Sequence, residues 1–170
     1  KTKQKILFLF LISFSIYCAL TIGYGWDEQT LLMQGKIAIN YLLSLGKVEV
    51  DIFRREYYSP IYYSLKFLLI QIFPIKYQIE ASHIINLTFS LSAIIGIKKI
   101  SKELFNENVG KIVFLILFFY PIFFGHMSFN GKDMVLAFCH VWIFYLVIRY
   151  LRKQDIKDKA SNYTIFLGVL

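Results

Sequence analysis

Four long apolar segments constrain what this chain can fold into more than any other feature. They cover residues 6–22, 77–97, 112–124 and 134–150, and a fifth begins at residue 163 and continues to residue 170. An α-helix of ~20 predominantly apolar residues crosses the ~30 Å hydrocarbon core of a bilayer. In addition, 57% of the chain is hydrophobic, whereas soluble domains are roughly 45–50% apolar. The sequence therefore predicts an all-α fold of polytopic transmembrane helices.

From its two ends we expect the sequence to be a piece of a longer protein. The first residue is Lys1 rather than methionine, and the sequence stops at Leu170 within an apolar segment. We therefore expect residues 1–170 to be the N-terminal part of one transmembrane domain. Lysines followed by an apolar segment are also typical of a secretory signal peptide, which is the alternative for residues 1–22. That segment is longer than a usual signal core and no small-x-small cleavage site follows it, so a first transmembrane helix is preferred.

Lysine and arginine cluster in alternate loops between the predicted helices. The clusters are Lys1, Lys3 and Lys5; Lys98, Lys99, Lys102 and Lys111; and Arg149, Arg152, Lys153, Lys157 and Lys159. Basic residues accumulate in the cytoplasmic loops of membrane proteins, which places the N-terminus in the cytoplasm and the loop 23–76 on the outer face. This pattern accounts for the net charge of +8 without a nucleic-acid partner. The abundance of Ile, Lys, Phe and Tyr is typical of an AT-rich bacterial genome, so we expect a multi-pass protein of the bacterial inner membrane with its site on the periplasmic face.

The predicted outer loop contains two helical patterns that are too short or too polar to cross a bilayer. Asp27 or Thr30 can cap a helix that ends at Gly46, in which apolar residues recur every three or four positions. Ser59-Pro60 is typical of a helix start, and the apolar stretch that follows stops at Pro74. Amphipathic helices of this kind lie in the membrane interface. The sequence therefore predicts two juxtamembrane interfacial helices in contact with membrane lipids.

Asp27 and Glu28 form an acidic pair directly after the first apolar segment. A carboxylate at a dry interface has a raised proton affinity, and a general base must come within hydrogen-bond distance of the proton it takes. The pair is therefore the leading candidate for a base that acts on a lipid-borne substrate. The alternative is a helix start, because the helix dipole favours acidic residues in the first turn by ~0.3–1 kcal/mol.

A second acidic site, Asp133, directly precedes the segment 134–150. An acidic residue at membrane depth is costly and usually faces a cavity or a partner. The alternative is a helix cap, formed by Asn130 or by Asp133 itself. The neighbouring Lys132 can balance Asp133 or contact a phosphate.

Arg54 and Arg55 are the clearest candidate phosphate ligands of the outer loop, because a guanidinium group grips phosphate with two parallel hydrogen bonds. A solvated loop charge or a contact with lipid headgroups is the alternative. The aromatic residues that follow, Tyr57-Tyr58 and Tyr62-Tyr63, either form an interfacial belt or line a site for a sugar ring or a prenyl tail.

The outer end of the second apolar segment carries Glu80, His83 and Asn86. Glu80 and His83 are three residues apart and share one helix face. With His126 they offer two imidazoles and one carboxylate, a ligand set that suits Zn²⁺, so a divalent metal is a candidate cofactor. The spacing forms no tight metal motif, and polar residues that line a cavity are the preferred interpretation.

Three stretches of the chain are similar to motifs of one family of membrane enzymes. They are Trp26-Asp27-Glu28; Tyr58-Ser59-Pro60-Ile61-Tyr62-Tyr63; and Phe124-Gly125-His126 with Asn130-Gly131-Lys132-Asp133-Met134. On these residues, and on the two helices of the first outer loop, the chain resembles the GT-C superfamily of membrane glycosyltransferases. The similarity is to its protein O-mannosyltransferase and aminoarabinose-transferase-like branch, of the glycosyltransferase family 39 type. The second stretch departs from the family pattern, with Ser59 where proline is common and Tyr58 where histidine is common.

The resemblance implies a reaction and a role for each candidate residue. A hydroxyl of a protein, lipid or glycan acceptor attacks the anomeric carbon of a polyprenyl-phosphate sugar, the configuration inverts, and polyprenyl phosphate leaves. In this scheme Asp27 is the base, with Glu28 and Asp133 assisting. The developing phosphate charge is stabilised by Arg54, Arg55 and Lys132. The substrate cavity is lined by Tyr58, Tyr62, His126 and Asn130.

Two other functions fit the same residues. A transporter or flippase of lipid-linked sugars also uses intramembrane acidic residues, for ion coupling. In a non-catalytic membrane subunit, Asp27 and Asp133 are helix caps whose replacement lowers stability rather than turnover. A polyprenyl-phosphate-dependent glycosyltransferase is the preferred function.

Overall fold

A computed structural model of the chain describes residues 2–47 and 60–153, and within them every regular element is helical. The elements are α1 (Thr2–Thr21), α2 (Glu28–Leu43), α3 (Pro60–Ile70), α4 (Gln78–Leu104), α5 (Glu107–Phe119), α6 (Pro121–His126) and α7 (Gly131–Lys153), with a 3₁₀ turn at Ile75–Tyr77 before α4. The all-α prediction is confirmed. The candidate residues Arg54, Arg55 and Tyr58, and the predicted segment 163–170, lie outside the described residues.

Among the described residues, two helical stretches are long and apolar enough to cross a membrane. They are Ile75–Leu104 and Gly131–Arg152, which contain the predicted segments 77–97 and 134–150. Lys5–Thr21 and Pro60–Ile70 are also apolar but shorter.

The chain divides into two compact units. The first comprises Lys1–Leu87 with Ser128–Lys132, and the second comprises Thr88–Met127 with Asp133–Leu170.

In the first unit, α2 and α3 pack against each other, and local signals set their ends. Gly46 ends the turn after α2 at a φ of +79°, a conformation that costs glycine little. Pro60 opens α3, where its missing N–H is not needed. At the crossing, a Cβ added to Gly35 would lie 2.2 Å from the Tyr63 carbonyl oxygen. Only glycine therefore permits the two backbones to approach this closely.

The predicted apolar face of α2 is buried over only part of its length. Leu31 is 4% exposed and Gly35 is buried, whereas Leu42 and Leu45 are 67% and 87% exposed. Glu28 and Gln34, both polar, are buried instead. Burial in α2 therefore follows polar contacts as much as apolar ones.

In the second unit, the later part of α4 runs beside α7 in the same direction. Phe89 contacts Phe138 edge to face, and the Trp142 indole N–H donates to the Ser92 hydroxyl over 3.1 Å. Further along both helices, the Lys99 ammonium lies 5.4 Å from the centre of the Tyr145 ring. Successive contacts lie further along both helices, so α4 and α7 run parallel to each other.

The predicted segment 112–124 is not one helix. The Asn106 side chain caps α5 by accepting hydrogen bonds from two backbone N–H groups, so the helix begins earlier than predicted. It ends at Phe119, and α6 starts at Pro121 after a single extended residue, Tyr120. A residue that precedes proline is disfavoured in helical geometry, which explains the interruption.

Candidate functional site

Asp27 and Lys132 form an ion pair that joins the two predicted outer loops. The Asp27 Oδ2 atom lies 2.8 Å from the Lys132 Nζ atom, and the two side chains are 46% and 30% exposed. Asp27 occupies the position before α2, but its carboxylate makes no capping hydrogen bond. The carboxylate thus faces the ammonium and solvent rather than the backbone of its own helix.

Glu28 lies next to Asp27 in sequence but has the opposite environment. It is 2% exposed. The Ser82 hydroxyl donates to its Oε1 atom over 2.9 Å, and the Gly25 N–H donates to its Oε2 atom over 3.3 Å. His83 Nε2 lies 2.9 Å from the same Oε2 atom. The acidic pair therefore consists of one accessible and one buried carboxylate.

His83 bridges α1 and α2 from its position on α4. Its Nδ1 atom lies 3.0 Å from the Ala19 carbonyl oxygen, which can only accept, so Nδ1 carries a proton. One further proton lies between His83 Nε2 and Glu28 Oε2, because two acceptors would not approach each other to 2.9 Å. The donors from Ser82 and Gly25 favour the carboxylate form of Glu28. Both ring nitrogens of His83 are engaged within the protein.

Burial alone would raise the pKa of Glu28, but its neighbours outweigh this effect. The hydrogen bond and charge of His83, the hydrogen bond from Ser82 and the charge of Lys66 together hold the pKa of Glu28 below its ordinary value. Glu28 is therefore a charged anchor for surrounding helices.

Asn86 connects three parts of the first unit. Its Oδ1 atom accepts hydrogen bonds from the Tyr62 hydroxyl and, over 3.4 Å, from the Lys66 ammonium. Its Nδ2 group donates to the Ser128 carbonyl oxygen over 2.7 Å. Asn86 is 0% exposed, and one side chain thus links α3, α4 and the segment 128–132.

Lys66 is a buried cation beside these groups. It is 1% exposed, and its Nζ atom lies 5.7 Å and 5.2 Å from the ring centres of Tyr62 and Tyr63. Burial lowers the pKa of Lys66 to about 8, although the charges of Glu28 and Asp27 act in the other direction. Burial also raises the pKa of Tyr62, which keeps its hydroxyl protonated as the donor to Asn86.

Gly131 fits closely between the residues of this cluster. A Cβ added at Gly131 would lie 2.9 Å from Asn86 Oδ1, 2.9 Å from Tyr62 Cε1 and 3.2 Å from the Tyr63 hydroxyl oxygen. Real Cβ atoms essentially never approach another atom within 3.0 Å. The absence of a side chain at Gly131 therefore allows the start of α7 to lie against α3 and α4.

The remaining candidates are distributed over both units. Asn130 is partly buried in the segment 128–132 of the first unit. His126 and the exposed Asp133 belong to the second unit. Glu80 is partly buried, and its Oε2 atom has no hydrogen-bond partner within the described residues. Across residues 2–47 and 60–153, no three side chains of His, Cys, Asp or Glu form a group that could hold a metal ion.

Several residues of the site were not selected from the sequence. The sequence patterns do not single out Ser82, Ser128 or Gly131, and they indicate Asn86 only as a polar residue near a helix end. A signal was present for α4, because Ser82, His83 and Asn86 are one to four positions apart and form one polar face on a largely apolar helix. No local signal marks Ser128, whose backbone carbonyl makes the contact.

Comparisons of the chain with models of protein families, with curated proteins and with solved structures found no match.

Proposed function

We propose that this chain is the N-terminal part of a GT-C-type membrane glycosyltransferase that uses a polyprenyl-phosphate sugar. The observation that carries the proposal is the Asp27–Lys132 ion pair at 2.8 Å. It combines an accessible carboxylate, which can accept a proton, with an ammonium that can bind a phosphate. Transfer of a sugar from a prenyl phosphate to a hydroxyl requires both groups close together.

A multi-pass arrangement in the membrane is supported by the exposed faces of the shorter helices. On α1, Leu9, Phe10 and Tyr17 are 63%, 65% and 64% exposed. On α5, Ile116 and Phe119 are each 62% exposed. A helix at the surface of a soluble protein carries polar residues on its exposed face. These faces instead suit lipid, and we infer that α1, α4, α7 and the α5–α6 region cross or enter the bilayer.

The interfacial role proposed for α2 and α3 follows from their length and exposure. Neither helix is among those long enough to span, and the pair exposes Leu43 and Ile61 at 79% and 86%. Such a pair would lie in the headgroup region. A lipid-linked donor could then reach Asp27 from the side of the membrane.

The proposed reaction begins with exchange of partners at Lys132. The phosphate of the donor displaces the Asp27 carboxylate from the Lys132 ammonium, and an exposed pair of this kind is held by only ~0.2–1 kcal/mol. The released carboxylate accepts the proton of the acceptor hydroxyl as its oxygen bonds to the anomeric carbon. The bond from that carbon to the phosphate oxygen breaks, and polyprenyl phosphate leaves with the electron pair.

The other candidates complete the proposal. Glu28 acts on the geometry of the site rather than on the substrate, since it is buried against His83. We propose that Asp133 orients the acceptor and that Arg54 and Arg55 add positive charge around the phosphate. The assignment of Tyr58, Tyr62, His126 and Asn130 to a substrate cavity rests on the family resemblance alone.

The test uses the full-length protein in lipid nanodiscs and a panel of labelled polyprenyl-phosphate sugars with hydroxyl acceptors. Asp27→Asn should lower transfer by about 10²–10⁴-fold, the usual contribution of a general base. Glu107→Gln is the matched control, because Glu107 also forms a 2.8 Å exposed ion pair, with Lys102, and it should transfer normally. Normal transfer by Asp27→Asn would refute the assignment of the base, and no transfer by the wild type from any donor would refute the proposed function.

A second candidate function is supported by the buried Glu28–His83 pair. Ionisable groups buried inside membrane proteins serve proton coupling in transporters, so a proton-driven flippase of lipid-linked sugars would use this pair directly. Flipping of a labelled lipid-linked sugar in liposomes that responds to a pH gradient, and is lost in Glu28→Gln, would favour this function over sugar transfer.

A further inference from the structure

We propose that Asn86 and Gly131 are positioning residues that hold Lys132 against Asp27. Their value for sugar transfer rests on the proposed function, whereas their effect on the ion pair does not. Neither residue has a side chain that takes part in the ion pair. They act on the segment 128–132, whose last residue is Lys132.

Asn86 fixes one end of this segment. Its Nδ2 group donates to the Ser128 carbonyl oxygen over 2.7 Å. Asn86 cannot turn over its amide group freely, because Oδ1 already accepts from Tyr62 and Lys66. The amide is thus locked with its donor facing Ser128.

Gly131 fixes the other end of the segment. With no side chain, it lies against Asn86 Oδ1 and the Tyr62 ring at distances that a Cβ could not occupy. Asn86 and Tyr62 are both buried and hydrogen-bonded to each other, so they cannot move aside easily. Lys132 follows immediately, and its position at Asp27 depends on this close fit.

Asn86→Asp separates the positioning role from general stability. Aspartate has nearly the same shape and keeps an acceptor for Tyr62 and Lys66, with an opposite charge for Lys66. It has no donor for Ser128, and a carboxylate oxygen facing a carbonyl oxygen is repelled. Gly131→Ala perturbs the other end independently, and Gly23→Ala is the matched control, because a Cβ there meets nothing within 4 Å.

The readout is a zero-length cross-link in the full-length protein in nanodiscs. A water-soluble carbodiimide joins the Asp27 carboxylate and the Lys132 amine as an amide, takes up the water that is lost, and leaves as its urea. Mass spectrometry quantifies the linked peptides. The Lys102–Glu107 pair, also at 2.8 Å, provides an internal reference link in every sample.

Asn86→Asp and Gly131→Ala should each lower the Asp27–Lys132 link by about tenfold. For Asn86→Asp this is the population shift expected from losing one buried hydrogen bond, and for Gly131→Ala overpacking of the close fit has an effect of similar size. The Lys102–Glu107 link should stay at the wild-type level, and Gly23→Ala should change neither link. An unchanged Asp27–Lys132 link in both variants would overturn the proposal. Loss of both links together would overturn it as well, because the role assigned is local.

The same variants separate this proposal from the proposed function. If the wild type transfers sugar, both variants should lower kcat/KM in proportion to the lost link. If the wild type transfers no sugar but the link falls as expected, the positioning role stands and the proposed function fails.

Discussion

His83→Leu should destabilise the protein, because it leaves a buried carboxylate without its hydrogen-bond partner. The wild-type pair is fully enclosed, with His83 and Glu28 0% and 2% exposed. Leaving a buried polar group without its hydrogen-bond partner costs ~1–3 kcal/mol, and more for a charged group. For a chain of this size each kcal/mol lowers Tm by ~2–4 °C, so a fall of at least roughly 2–12 °C is expected by these figures.

The assay is thermal unfolding of the purified protein in nanodiscs, followed by near-ultraviolet circular dichroism. His140→Leu is the matched control, because His140 is an exposed histidine whose ring bonds to its own helix, at the Leu136 carbonyl. Its replacement should change stability by about 0.5 kcal/mol or less.

A double variant tests the physical cause. If an uncompensated charge dominates, Glu28→Gln combined with His83→Leu should be more stable than His83→Leu alone, since glutamine carries no charge to bury. A His83→Leu protein that unfolds at the wild-type temperature, or a double variant that loses the sum of the two single effects, would refute the reasoning.

Three further changes have expected outcomes in the same unfolding assay. Gly35→Ala should cost at least ~1–3 kcal/mol, because its Cβ would overlap the Tyr63 backbone at 2.2 Å, whereas Gly23→Ala should be neutral; equal stability of the two would contradict the close crossing of α2 and α3. Lys66→Met should be more stable than the wild type at pH 7 by up to roughly 3 kcal/mol, since the pKa of Lys66 is lowered to about 8. A lowered lysine pKa penalises the charged form, so this advantage should shrink as pH rises from about 8 towards 10.5, and a difference independent of pH would contradict burial of the cation. The pKa of Glu28 is lowered on folding, so the Glu28 carboxylate contributes its full stabilisation at pH values above the ordinary glutamate pKa. This stabilisation should be lost as pH falls through the lower pKa of the folded state, and Glu28→Gln should not show that loss.

The helices of the outer loop could be predicted because their end signals are local. Pro60 opens α3, as its fixed φ requires, and the turn after α2 closes at Gly46 with a positive φ. Such signals act within a few residues of where they stand in the sequence. The interruption at Tyr120, before Pro121, follows the same rule, although residues 112–124 were predicted as one apolar segment.

The separation of Asp27 from Glu28 could not be predicted, because it depends on contacts made across the fold. Both are acidic and adjacent, yet one is 46% exposed and the other is buried against His83. The pairing of Asp27 with Lys132 was likewise not foreseen, since Lys132 was assigned to Asp133 or to phosphate. Long-range pairs of this kind leave no trace in spacing or composition.

The central claim is that Asp27 and Lys132 form one site, in which the donor phosphate replaces the carboxylate at the ammonium. The most direct test is the affinity of full-length protein in nanodiscs for a polyprenyl-phosphate sugar, measured for the wild type, Asp27→Asn and Lys132→Gln. Asp27→Asn should bind the donor up to about fivefold more tightly, because no carboxylate competes for Lys132, and yet should not transfer the sugar. Lys132→Gln should bind the donor more weakly. Weaker binding by Asp27→Asn, or unchanged binding by Lys132→Gln, would contradict the proposed exchange of the carboxylate for the phosphate.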